Sequence, residues 1–153
     1  MDKKSNFFVC KRCKNLVSMI TSSGVPLYCC GNEMTNMEPI YTEEGAKKHQ
    51  PVVKRDGDVI KVDVGSVEHP MAEDHAISWI ALVTNRGMYR KFLIPNAAPK
   101  VAFHITDELP ICVYSYCNLH GLWKTQLLQE SAERIESKKT EAPRKVWRLC
   151  FYY

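Results

Sequence analysis

The chain has 153 residues, 45% of them hydrophobic and 25% charged, with 21 Lys and Arg against 17 Asp and Glu for a formal net charge of +4. That composition excludes an intrinsically disordered chain, and no apolar run approaches the roughly 20 residues that a membrane-spanning helix requires. The charge is too mild to argue for nucleic acid, although it suits an anionic substrate.

Residues 1–37 read as a small first unit. Met1 to Asn6 leads straight into a short strand, Phe7-Phe8-Val9, without the apolar core of a secretory leader, so the expected compartment is the cytoplasm. In that setting seven cysteines imply metal ligands and free thiols rather than a disulfide framework. The strand enters Cys10-Lys11-Arg12-Cys13, a Cys-x-x-Cys turn that aims two sulfurs at one point. Asn15 to Thr21 is a second apolar run and Ser22-Ser23-Gly24 a turn. Val25 to Tyr28 then leads into an adjacent pair, Cys29-Cys30. A unit this small has too few large apolar side chains for a core of its own, and a metal staple is the expected remedy. Four sulfurs suit zinc or iron, and the residues alone leave that choice open. Adjacent cysteines are awkward neighbours in a tetrahedron and are expected to distort it.

The boundary is expected near residue 37 or 38, within a linker that carries Pro39. Thr42 to Pro51 is a polar, glycine-containing loop with room for one helical turn. Val52–Arg55 and Val59–Val64 flank Asp56-Gly57-Asp58, a hairpin signal, with Ile60, Val62 and Val64 sharing one face. Further strands are predicted over Ala76–Val83, Met88–Ile94, Val101–Ile105 and Ile111–Tyr116. Short strands with no helical period between them predict a mostly β chain, with an immunoglobulin-like antiparallel β-sandwich over residues 38–126. Residues 127–153 form a C-terminal extension of uncertain structure. It has helix formers over Leu127–Lys139 and an apolar end, Val146–Tyr153, and no function is assigned to it.

A second donor set lies in the sandwich. Cys117 and His120 stand three residues apart in Cys117-Asn118-Leu119-His120-Gly121-Leu122-Trp123 and can grip one ion. They cannot complete its shell alone. His49 before Pro51, His69 before Pro70 and His75 at a strand start all lie at loop–strand junctions, where rigid strands can aim side chains at one point. Four imidazoles and a thiolate exceed zinc's tetrahedral preference. Four nitrogens in a plane with an axial sulfur suit iron and leave a sixth position for a small oxygen species. His104, mid-strand, is expected to be structural. Cys112 lies at odd spacing from Cys117, hence on the opposite strand face; with Cys150 it is read as a spare thiol.

These residues resemble desulfoferrodoxin, the two-domain, two-iron form of superoxide reductase, over about residues 5–125. Cys10, Cys13, Cys29 and Cys30 resemble its desulforedoxin-type iron centre, down to the adjacent pair. Lys48-His49-Gln50-Pro51, Glu68-His69-Pro70-Met71, His75 to Ile80 and Cys117 to Trp123 resemble the segments that hold its catalytic iron. The resemblance implies two iron ions per chain and one-electron reduction of superoxide to hydrogen peroxide. It implies re-reduction by a rubredoxin-like donor, a relay role for the four-cysteine iron, and a homodimer. It also implies that Lys48 attracts superoxide. One departure stands out: the family usually has Glu-Lys-His where this chain has Lys47-Lys48-His49. Two cations and no carboxylate are therefore expected at the mouth, with Glu43 or Glu44 reaching in only if the loop refolds. Water, hydroxide or an outside anion is expected at the sixth position of the oxidised metal. Two other readings are a non-catalytic electron carrier using only the four-cysteine centre and a zinc-ribbon interaction module.

Overall fold

The computed structural model describes residues 5–127. The expected helix beyond Leu127, the apolar end and Cys150 lie outside the described residues.

The first unit is built on β1 (Phe7–Val9), which pairs antiparallel with β2 (Leu16–Ser18) on one side and β5 (Thr35–Asn36) on the other. A two-stranded ribbon, β3 (Tyr28–Cys29) and β4 (Asn32–Glu33), carries the adjacent cysteines. Little here is buried apart from Ser5, Phe7, Cys10 and Met34. Phe7 is fully covered because it leaves its own unit. Its ring lies 4.8 Å from Trp79 and 5.4 Å from Tyr114, both on the sandwich.

The sandwich follows a short helix, α1 (Glu43–His49). One sheet has the order β10-β7-β6, made from β6 (Pro51–Asp56), β7 (Val59–Val64) and β10 (Lys100–His104). The other has the order β12-β11-β8-β9, made from β8 (Ile77–Thr84), β9 (Met88–Phe92), β11 (Pro110–Cys117) and β12 (Gly121–Gln126). All pairings are antiparallel. The core between the sheets holds Ile60, Val62 and Val64 from β7, as their alternation predicts, together with Ile80, Leu82, Phe103 and Val113.

β8 reads as a nearly continuous apolar run because both its faces are covered. Ile80 and Leu82 face the sandwich core; Trp79 and Ala81 join Phe7, Cys112, Tyr114 and Leu122 in a second cluster under the N-terminal unit. β11 shows the same division. Cys117 belongs to the first cluster and Cys112 to the second, on opposite strand faces.

Two elements differ from expectation. The strand pattern stops at Tyr116, yet β12 continues the sheet, pairing from Cys117↔Gly121 to Cys112↔Gln126. Its alternation is masked because Leu122 and Trp123 are both buried, Leu122 in the second cluster and Trp123 under α1. Helix α1 is also longer than the single turn expected. Its acidic residues, Glu43 and Glu44, fall in the first turn and its basic ones in the last, as the helix dipole favours. Pro51 then ends it.

Candidate metal centres

Cys10, Cys13, Cys29 and Cys30 place their sulfurs within 4.8 Å of one another. Cys13 Sγ is 3.6 Å from Cys29 Sγ, and Cys29 Sγ is 3.9 Å from Cys30 Sγ. Sulfurs bound tetrahedrally to one ion at about 2.3 Å are separated by about 3.8 Å, so these distances fit a common ion. The first turn closes through Lys14 N–H donating to Cys10 C=O at 2.9 Å and Cys10 N–H to Asn15 C=O at 2.9 Å. The adjacent pair manages its awkward geometry by a backbone kink. Cys30 has φ 53°, in the left-handed region, followed by Gly31 at φ 77°. The peptide N–H of Cys13 holds the Cys10 thiol down, to about 6, against the opposing effect of burial. Cys30 is pushed up to about 12, chiefly by its side-chain contact with Cys13. Binding of a metal ion by this cluster would displace the remaining thiol protons. All six described cysteines are free thiols.

The second group is His49, His69, His75, Cys117 and His120, whose donor atoms also lie within 4.8 Å of one another. The four imidazoles form a ring of neighbours. Centroids are 4.7 Å apart for His49–His69, 4.8 Å for His69–His75, 4.9 Å for His75–His120 and 4.7 Å for His120–His49. Successive planes are tilted by 66–78°. His49 Nε2 stands 3.0 Å from His120 Nδ1, and His75 Nε2 3.2 Å from the same atom. Nitrogens that share an ion at right angles and at about 2.1 Å are about 3 Å apart, so the square fits a bound metal. Cys117 Sγ is 3.5 Å from His120 Nδ1 and fully buried.

Each donor is aimed by its surroundings. His49 ends α1, where its Nδ1–H donates to Gly45 C=O at 2.8 Å and so leaves Nε2 bare. Its own carbonyl accepts from Ser115 Oγ on β11 at 2.6 Å. One ring face lies on Trp123, at 4.8 Å and 13° from parallel. His69 Nδ1–H donates to Pro70 C=O at 2.5 Å, and its Nε2 is buried with no hydrogen-bond partner. An orphaned buried nitrogen turned toward three other imidazoles is what a metal ligand looks like without its ion. Burial pushes His69 down to about 4 and lowers His49 as well, so both rings are neutral and ready to ligate at neutral pH. His75 and His120 are carried by the loops at the end of the β8–β11 pair.

Above His49 and His120 lies an open cavity of about 550 Å³ whose wall includes Glu44 and Lys48. Lys47 faces another depression, beside Gln50 and Ser66. The expectation of two cations and no carboxylate at the mouth is therefore corrected. On a helix, positions four apart share a face and consecutive ones do not, so Glu44 accompanies Lys48 while Lys47 turns away. No refolding is needed to bring Glu44 there. His104 is exposed at the end of β10, outside both groups. No role was assigned from the sequence to Gly45, Ser115 or Trp123. The available signals were the spacing of Gly45 and His49, one helical turn, and the Trp three residues after His120.

The Desulfoferrodoxin family profile matches residues 41–126. A desulfoferrodoxin of Nitratidesulfovibrio vulgaris is 42% identical over 127 residues, covering 82% of this chain and 99% of that protein. A desulfoferrodoxin homolog of Archaeoglobus fulgidus is 38% identical over 125 residues, with coverages of 82% and 99%. Among solved structures, the superoxide reductase from Treponema pallidum superposes with a TM-score of 0.66 at 34% identity, covering 82% of this chain and all of that one.

Proposed function

The chain belongs to the desulfoferrodoxin family, and from that premise we propose that it is a superoxide reductase, taking superoxide, one electron and two protons to hydrogen peroxide. The observation that carries this reading is the gathering of four imidazoles and a buried thiolate, with His49 and His120 lining an open cavity. Oxidoreductase chemistry follows from the family. The choice of superoxide rests on the family and on the lysine in the cavity wall.

We assign iron to both groups, held by Cys10, Cys13, Cys29 and Cys30 in one and by His49, His69, His75, Cys117 and His120 in the other. Iron held in the second group would supply the single electron. The protein does the rest. Lys48, exposed at the cavity wall, raises the local concentration of a monoanion. Backbone carbonyls hold His49 and His69 as neutral Nε2 donors. Cys117, excluded from water, would offer its sulfur as the fifth donor. Protons enter from solvent through the open mouth. A rubredoxin-like protein is proposed to restore the electron, with the four-cysteine iron as relay. A homodimer in the cytoplasm is proposed on family grounds, and no helix among the described residues is long and apolar enough to cross a membrane.

The test is pulse radiolysis of the reduced, iron-loaded protein. Rapid oxidation of the five-donor iron, first order in superoxide and with peroxide as product, is expected. A chain that leaves superoxide to its spontaneous decay is not a superoxide reductase.

A further inference from the structure

Three of the five donors have a visible anchor. His49 and His69 are fixed by ring-to-carbonyl hydrogen bonds, and Cys117 is the buried last residue of β11. His75 has neither. It sits on a half-exposed bend before β8, and among the described residues its ring makes no bond to a backbone carbonyl. Yet its nitrogen arrives within 3.2 Å of His120 Nδ1. Within the bend the His75 N–H donates to Ala72 C=O at 3.2 Å, and the rest of its hold comes from the neighbouring loop.

We infer that Asn118 is a positioning residue for His75, its side-chain amide clamping the two peptide units on either side of that histidine. Asn118 Oδ1 accepts from Ala76 N–H at 3.0 Å, and its Nδ2 donates to Asp74 C=O at 3.0 Å. Its own backbone N–H donates to Ala76 C=O at 3.2 Å. Three bonds from one residue thus fix the chain immediately before and after His75, and with it the direction of the Cα–Cβ bond.

The need for the clamp comes from the sheet. The β8–β11 ladder runs in step from Cys112↔Val83 to Tyr116↔Trp79 and then slips, so that Cys117 faces Ile77. Regular pairing ends there, one residue short of the bend. The Asn118 side chain replaces the missing rungs. It is the right residue for this because a planar amide carries one donor and one acceptor side by side, which is what consecutive peptide units present. Asp lacks the donor, Ala lacks both, and Gln is a methylene too long. Asn118 is itself exposed, so no packing demand explains its identity. The clamp also joins the segment carrying His75 to the one carrying Cys117 and His120, making three donors move as one body.

This inference rests on the five donors being a metal site, and the test separates the two. The iron-loaded protein is mixed with excess chelator, and release from the five-donor group is followed by the loss of its thiolate-to-metal absorption. N118A is expected to release iron about 10-fold faster or more, the usual range for partners that orient a ligand. N118D keeps the bond to Ala76 and loses that to Asp74, so it is expected to fall between N118A and the parent. It serves alone if N118A does not fold. L119A, in the same loop, is expected to match the parent. In an H75A background N118A is expected to add nothing. Release within twofold of the parent overturns the role, as does equal acceleration in the H75A background, which would mean a general loop effect. A parent chain that takes up no iron in this group overturns the metal reading and the clamp together.

Discussion

His49 and Trp123 lie face to face, with ring centroids 4.8 Å apart and planes 13° from parallel. The contact exists because α1 comes down on the indole at Gly45, where a side chain would run into the Trp123 ring and Thr42 Oγ1. The same Gly45 supplies the carbonyl that accepts from His49. One turn of helix therefore sets the height, the plane and the tautomer of one donor.

Gly45→Ala tests which of two opposed effects wins. Ala in a helix is favoured over Gly by about 1 kcal/mol. Overpacking a ring that cannot move costs about 1–3 kcal/mol. The indole is held against His49 and the helix at Gly45, so the clash is expected to win, with net destabilisation of up to about 2 kcal/mol. Iron content of the five-donor group should fall with it. Denaturant unfolding and metal analysis of G45A check this; a more stable, fully loaded variant would mean the indole is free to shift.

Lys48→Ile is expected to slow the second-order reaction with superoxide about tenfold at low ionic strength and to flatten its salt dependence. Lys47→Ile, on the other side of the helix, should change the rate less than about twofold. Equal effects from both lysines would show that only overall charge matters.

Glu44 shares the cavity wall with Lys48 and opposes its field. Among the described residues the two are not within ion-pair distance; the pairs formed are Lys61–Asp56 and Lys100–Asp63. Glu44→Gln removes a negative charge without changing shape and is expected to raise the superoxide rate about twofold at low salt, the gain vanishing near 0.5 M salt. A slower variant would assign the carboxylate a part in the chemistry.

Acid should destabilise the metal-free protein through His69. Its pKa is lowered to about 4 by burial, against about 6.5 unfolded. The unfolded chain then binds the proton first. Stability is complete above about pH 6.5, falls as pH drops toward 4, and levels off below, a loss of up to about 3 kcal/mol. His49, also lowered, acts with the same sign. Urea midpoints of the metal-free protein at pH 7.5 and 4.5 measure it, and a flat profile would contradict the burial of His69.

Cys13→Ser should reduce iron from two ions per chain to one, sparing the five-donor group, because the two sets share no residue. Metal analysis with the visible spectrum decides; loss of both ions would show that the groups fold as one.

Every residue that the structure gathers into the two groups was legible in the sequence. Cysteine and histidine identity carries the chemistry, and the turns at Cys10-Lys11-Arg12-Cys13 and Cys117 to His120 are local. So were the sandwich strands whose faces alternate, such as Ile60, Val62 and Val64. What stayed hidden depends on long-range packing. β12 was masked because Leu122 and Trp123 are buried by different neighbours. The length of α1, and so which of Lys47, Lys48 and Glu44 faces the cavity, was lost in a polar segment without an apolar stripe. The role of Asn118 depends on a register slip that no local pattern announces.

The insertion of Phe7 between Trp79 and Tyr114 has a consequence for how the protein is made. Until residues 5–36 have closed over β8, the aromatic face of that strand stands open to water, and such faces seek one another. Closure depends on a unit too small to hold itself without its cysteine-bound ion. A chain without that ion would still gather the five-donor group, which shares no residue with it, but would leave Trp79 and Tyr114 uncovered and prone to self-association.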